Sequence, residues 1–167
     1  MYDMKGTIRE VRPGDAPDIL HIYNHYINNT VITFETEPLT EEEMATRIIH
    51  IAAQFPYFVY ASEEEGILGY CYAHTWKARA AYQATVETTV YLRPDCSGQG
   101  IGRALMEVLL DSLRKHSFHV AIACIACPNE PSIRLHEQLG FRKVAHYHEV
   151  GYKFGRLLDV GDWQLIL

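Results

Sequence analysis

"RPDCSGQGIGR" runs from Arg93 to Arg103, between a β-branched run that ends at Leu92 and a segment whose apolar residues recur every three or four positions. Strand, glycine loop and helix in that order make a junction that can wrap its backbone around a phosphate. The N–H groups from Gly98 to Arg103 would gather at the start of a helix beginning near Ile101. The loop narrows the ligand by what it lacks. A Walker-type loop needs Gly-Lys-Ser/Thr, so that a lysine reaches the outer phosphates and a hydroxyl holds magnesium, and this chain reads Gly102-Arg103-Ala104. A dinucleotide loop places its third glycine where Arg103 stands and closes the next strand with an acid, which Val120 to Ala126 does not supply. A pyrophosphate that asks for neither lysine nor magnesium fits. So does a plain strand-to-helix turn with no ligand at all.

Outward from the loop, Thr85 to Leu92 reads as a strand. Ile101, Ala104, Leu105, Val108, Leu109 and Leu113 form a helical stripe, with Glu107, Asp111, Arg114 and Lys115 on its wet side. Upstream, Thr7 to Val11 alternates like a strand, and after Pro13-Gly14-Asp15 the residues Ile19, Ile22, Tyr23 and Tyr26 fall on one helical face. Thr40 followed by Glu41, Glu42 and Glu43 is a capping-box signature opening a helix that carries Met44, Ile48 and Ile51. Tyr57 to Ser62 and Ile67 to Thr75 form a hairpin around Glu63 to Gly66. Downstream, Val120 to Ala126 reads as a buried strand. Asn129-Glu130-Pro131-Ser132 opens a helix that Gly140 ends. Arg142 to Phe154 and Trp163 to Leu167 read as two strands joined by a Gly/Asp-rich turn. The order β-α-α-β-β-β-α-β-α-β-β predicts an α/β fold of the α+β kind, a mixed, largely antiparallel sheet flanked by helices. No repeat, low-complexity segment or linker interrupts it, so residues 1–167 are expected to form one domain.

At 167 residues, with 48% hydrophobic and 22% charged, the chain is large enough for one proper core. A net charge of −6 without any Lys/Arg run argues against a nucleic-acid partner. "MYDMKGTIREV" has no basic segment followed by an apolar one, and no apolar stretch approaches the roughly 20 residues of a membrane span. A cytoplasmic protein without a membrane partner is expected. The four cysteines do not read as a disulfide framework, and Cys71 and Cys124 lie in strand-like runs where a thiol serves as apolar filler. Cys124 and Cys127 have redox spacing, but on a strand they should face opposite ways. His21 and His25 are spaced like a zinc pair, yet Ile22 stands where that pattern needs Glu and no third ligand is evident, so no metal is expected. His146 and His148 share a strand face with no chemistry attached.

Val90-Tyr91-Leu92-Arg93-Pro94, the loop Gly98-Gln99-Gly100-Ile101-Gly102, and Asn129 followed by Gly140-Phe141 resemble the acetyl-CoA-binding core of the GNAT N-acetyltransferases. The blocks Trp76 to Leu92, Pro128 to Phe141, Phe34 to Pro38 and Gly151 to Leu165 are similar to the phosphinothricin acetyltransferases and to relatives acting on methionine sulfoximine and methionine sulfone. The resemblance implies acetyl-CoA as co-substrate, a small-molecule amine as acceptor, a splayed strand pair at the cofactor and a homodimer. It implies cofactor contacts at Val90, Tyr91, Leu92, Gly98, Gln99, Gly100, Ile101, Gly102, Arg103 and Asn129. Ser97 departs from the superfamily's usual Arg or Gln, and His136 stands where the superfamily often has a tyrosine, a substitution the phosphinothricin subgroup shares.

Amide formation from a thioester needs a neutral amine, a stabilised oxyanion and a proton for the leaving thiolate. Glu87 is an acid inside a β-branched strand, which is costly without a partner or a function, although a solvent-facing edge position would also account for it. The resemblance makes it the base, direct or through water. His136 lies on the inward face with Ile133 and Leu139, as a core histidine would; at the superfamily's acid position it would protonate the thiolate or orient the amine. A backbone N–H of Tyr91-Leu92 would receive the oxyanion. Lys77 and Arg79 read as solvated loop cations, or, by the resemblance, Arg79 clamps paired substrate oxygens. Phe34, Tyr82, Thr88 and Thr89 complete the implied substrate contacts. Direct transfer leaves no role for Cys96 despite its place beside the loop.

Overall fold

The computed structural model describes residues 6–167, so the first five residues of the N-terminal stretch lie outside it. The elements follow the order read from periodicity. They are β1 (Gly6–Glu10), α1 (Ala16–Asn29), α2 (Glu41–Ala52), β2 (Tyr57–Ser62), β3 (Gly66–Thr75), β4 (Thr85–Leu92), α3 (Ile101–Lys115), β5 (Val120–Cys127), α4 (Glu130–Gln138), β6 (Arg142–Lys153) and β7 (Arg156–Ile166). Local chemistry fixes the helix starts. At α2 the Thr40 hydroxyl accepts from the Glu43 N–H at 3.2 Å while the Glu43 carboxylate accepts from the Thr40 N–H at 2.7 Å. At α4 the Asn129 side chain accepts from the Ser132 N–H.

The seven strands form one sheet in the order β1-β2-β3-β4-β5-β7-β6, antiparallel throughout except between β4 and β5. Side chains alternate across it, so Cys71 enters one core and Tyr70 the other. On one face the stripe Ile101, Leu105, Leu109 and Leu113 of α3 packs with Val86, Ala121, Phe141 and Trp163. On the other, Ile19 and Ile22 of α1 and Met44 and Ile48 of α2 meet Tyr57, Val59 and Tyr70. No helix among the described residues is long and apolar enough to cross a membrane.

The tail differs from its sequence reading. The turn between the last two strands is Phe154-Gly155, and the stretch Asp159 to Asp162 lies inside β7. Gly161 is there because a Cβ would sit 2.5 Å from the Trp163 ring, so the glycine marks a close approach and not a turn.

The feature that places the site is the junction of β4 and β5. They pair only at Thr85↔Val120, Val86↔Ala121 and Glu87↔Ile122. Beyond Glu87, β4 stays with β3 as far as Gly69↔Leu92, while β5 stays with β7 as far as Cys127↔Asp159. The two strands part, and a V-shaped gap opens in mid-sheet. The Tyr26 hydroxyl of α1 donates to the Leu92 carbonyl at 2.7 Å and takes up an acceptor that a paired β5 would otherwise have used.

Candidate active site

The gap is the floor of a cleft of about 830 Å³ that Glu87 to Leu92 line on one side and Ala123 to Ala126 on the other. Arg93 N–H is bonded to Leu68 O on β3, and backbone donors alternate along a strand. The N–H groups of Leu92 and Val90 therefore point the other way, into the gap. Within the Tyr91-Leu92 segment it is the Leu92 N–H that faces the gap.

At one end of the cleft lie Ser97, Gly98, Gly100, Gly102 and Arg103. Gly100 precedes α3 with φ +85°, a left-handed conformation, and a Cβ there would meet nothing within 4 Å. Among the described residues no side chain caps α3, and its first intrahelical bond runs from Ala104 N–H to Gly100 O, so the N–H groups of Ile101, Gly102 and Arg103 remain available to an anion. The Gln99 and Ile101 side chains are not on the wall. The Gln99 amide donates to Asp95 O, and Ile101 is buried in the α3 core. Asn129 does line the cleft, from the start of α4.

Glu87 stands at the fork, the last residue of β4 paired with β5, and its carboxylate is half-buried. His74, its partner on β3, places Nε2 3.7 Å from Oε1. Burial pushes the Glu87 carboxyl above the usual carboxylate range; His74 pulls it down, and the Asp162 carboxylate of β7 pushes it up again. Thr88 is buried, with its hydroxyl donating to Ile122 O at 3.3 Å, and Thr89 lies on the cleft wall.

His136 is buried on α4, its ring edge-on to Phe141 at 5.1 Å between centroids. Nδ1 lies 2.8 Å from the Ser132 carbonyl, which can only accept, so Nδ1 carries the proton and Nε2 is left with a free lone pair. Burial pushes the imidazole below its ordinary value, against a smaller opposing effect of the Ser132 bond. A proton the unfolded chain accepts is thus refused by the folded one, so this contribution to stability is complete above pH 6.5, the ordinary value, and is lost as pH falls below it. The stability advantage of the protein over His136→Gln should shrink between pH 7.5 and 5 in urea denaturation; a constant difference would show that His136 does not titrate with unfolding.

Phe34 lines the cleft, with its ring packed against Gly151 of β6. Lys77, Arg79 and Tyr82 do not line it. Lys77 Nζ lies 4.1 Å over the Trp76 ring and 5.3 Å from Tyr82, and Trp76 meets Tyr82 edge-on, so this connection folds on itself outside the gap while Arg79 stays exposed. Cys71 is buried filler as expected, but Cys124 is exposed on the cleft wall, because β4 has left β5 where it stands. Cys96 is buried beneath the loop, and burial pushes its thiol up, away from nucleophilic use. Sequence reasoning missed His74 and Asp162. The first is found only from cross-strand register and the second only from the β5–β7 pairing.

Residues 8–160 match the family described as acetyltransferase (GNAT) domain. The chain belongs to the GNAT acetyltransferases. Among curated GNAT relatives, phosphinothricin N-acetyltransferase of Streptomyces coelicolor is 44% identical, over 96% of this chain and 98% of its own. L-methionine sulfoximine/L-methionine sulfone acetyltransferase of Pseudomonas paraeruginosa is 34% identical, over 98% of this chain and 96% of its own. Among solved structures, a GNAT superfamily phosphinothricin acetyltransferase from Sinorhizobium meliloti in complex with acetyl-CoA superposes with a TM-score of 0.93 at 36% identity. That match covers 98% of this chain and 89% of the other. For a GNAT acetyltransferase, the β4–β5 gap and the uncapped start of α3 are the parts that set the fold's cleft.

Proposed function

We propose that this GNAT acetyltransferase transfers the acetyl group of acetyl-CoA directly to the α-amine of a small amino-acid analogue, phosphinothricin, methionine sulfoximine and methionine sulfone being the first candidates. The observation that carries the reading is Glu87 at the fork of the splayed strands, sharing one cleft with the glycine loop and with His136. The N–H groups at the start of α3 hold the pyrophosphate of the co-substrate. Glu87, raised by burial, takes a proton from the incoming ammonium, directly or through a water. As the amine attacks the thioester carbon, the Leu92 N–H donates to the developing oxyanion; collapse of the tetrahedral intermediate breaks the C–S bond, and the departing thiolate takes the second proton shed by the attacking nitrogen. His136, neutral and with Nε2 free, accepts a hydrogen bond and so orients the amine; burial disfavours its charged form and makes it a poor proton donor to the thiolate.

The reading includes a homodimer, supported by the exposed apolar side chains of Val150, Tyr152 and Leu157 on β6 and β7 and of Phe154 in their turn. It includes Arg79 as a clamp only if the connection from Trp76 to Tyr82 is brought to a cleft by movement or by a second copy. Thiol release from acetyl-CoA tests the whole. The three amino-acid analogues should exceed spermidine and a lysine peptide by about tenfold or more in kcat/KM, the discrimination expected of a pocket that hydrogen-bonds its substrate. Faster turnover of spermidine or the peptide would shift the substrate class, and no release with any amine would favour a non-catalytic acetyl-CoA-binding module.

A further inference from the structure

We propose that His146, His148 and Asp159 form a binding site for one divalent transition-metal ion, Zn2+ or Ni2+, on the β6–β7 strand pair. His146 Nε2 lies 2.8 Å and His148 Nδ1 3.1 Å from the same carboxylate oxygen, Asp159 Oδ2. The three donor atoms lie within 4.8 Å of one another, and the two rings are 4.7 Å apart between centroids.

The backbone explains why three ligands converge. Pairing between β6 and β7 is irregular between Tyr147 and Gly151, so His148 to Val150 have no partner on β7. Glu149 adopts φ +56° there, and its N–H donates to Asp159 Oδ1 at 2.9 Å. The bulge thus spends one carboxylate oxygen on the backbone and fixes the other toward the histidines, the kind of outer support that orients a metal-binding carboxylate. With ligand bonds of about 2.0–2.1 Å, tetrahedral ligand atoms stand about 3.3 Å apart, and the two histidine-to-Asp159 Oδ2 distances of 2.8 and 3.1 Å are already near that spacing. Two imidazoles and a carboxylate suit Zn2+ or Ni2+ and leave a fourth position for water.

His146 shows what competes with the ion. Its Nδ1 is 2.8 Å from Lys143 Nζ, an ammonium that can only donate, so without metal the ring proton sits on Nε2 and points at Asp159. Metal binding at Nε2 moves that proton to Nδ1, which then can no longer accept from the ammonium, and Lys143 must withdraw. Its ammonium already stands 5.1 Å from the Trp163 ring centroid, a face on which to retire. The site is separate from the acetyl-transfer cleft. His146 pairs with Gly161 and shares its face with Asp159, while Val160, which lines the cleft, points to the other.

Calorimetric titration of the tag-free, chelator-stripped full chain with ZnCl2 and with NiCl2 tests the assignment. One ion per chain is expected, with affinity lowered about tenfold or more in His148→Ala and in Asp159→Asn. Lys143→Met removes the competing ammonium and is expected to tighten binding several-fold, a gain that a damaged fold would not produce. Absence of binding, binding that survives Asp159→Asn, binding lost in Cys124→Ser, or a Lys143→Met variant no tighter than the parent would each overturn it.

Discussion

Glu87→Gln is expected to lower kcat for acetyl transfer by about a hundredfold or more at neutral pH, the usual contribution of a positioned general base. The substitution keeps the shape of the side chain and removes only its basicity. A carboxylate base works once deprotonated, so kcat/KM of the parent should rise with pH through the pKa of Glu87 and then level off. Burial and the neighbouring Asp162 place that rise above the ordinary carboxylate range, and His74 tempers it. In the Gln variant the rising limb should vanish while the KM for acetyl-CoA changes little, because the α3 start and the glycine loop are untouched. Stopped-flow or steady-state thiol release across pH 4 to 9 reads both quantities. A variant that kept the parent rate and the parent limb would remove Glu87 from the base role.

Phe141→Ala should cost about 3–5 kcal/mol of folding stability, as truncating a buried aromatic does. Phe141 is 2% exposed and sits in the same core cluster as α3, β5 and Trp163, so its removal opens a void between them. For a domain of this size the melting temperature should fall roughly 6–20 °C. The same ring braces His136 edge-on, so the variant loses the packing that holds the imidazole, and only the bond to Ser132 remains. Specific activity should therefore drop by more than the loss of folded protein accounts for. A cost under about 1 kcal/mol in urea denaturation would mean that the site relaxes and that the core is looser than its burial implies.

Much of the architecture is legible from local pattern because local chemistry causes it. The α3 stripe, the Thr40–Glu43 box, the Asn129 cap and Gly140 at φ +94° are each set by residues within a turn of one another. What escapes is set by residues far apart. Gly161 and its flanking aspartates look like a turn because glycine breaks most strands, yet here it makes room for the Trp163 ring. Cys124 looks like filler because its run is apolar, and only the departure of β4 exposes it. Glu87 and the glycine loop are visible in sequence, whereas His74 and Asp162 become neighbours of Glu87 only through strand register and order. The connection from Trp76 to Tyr82 carries cations and aromatics suited to a binding site, yet Lys77 packs on Trp76 and Tyr82 instead, away from the cleft.

Unpaired β4 and β5 backbone is chemically a pair of sheet edges, the kind of surface through which proteins aggregate. Here both edges face each other at the bottom of a cleft, flanked by α3, α4 and the Phe34 loop. The backbone N–H and C=O groups of the two edges line the cleft and are left to bonds other than a sheet ladder. One fork thus both opens the cleft and turns the exposed edges of the sheet inward upon each other.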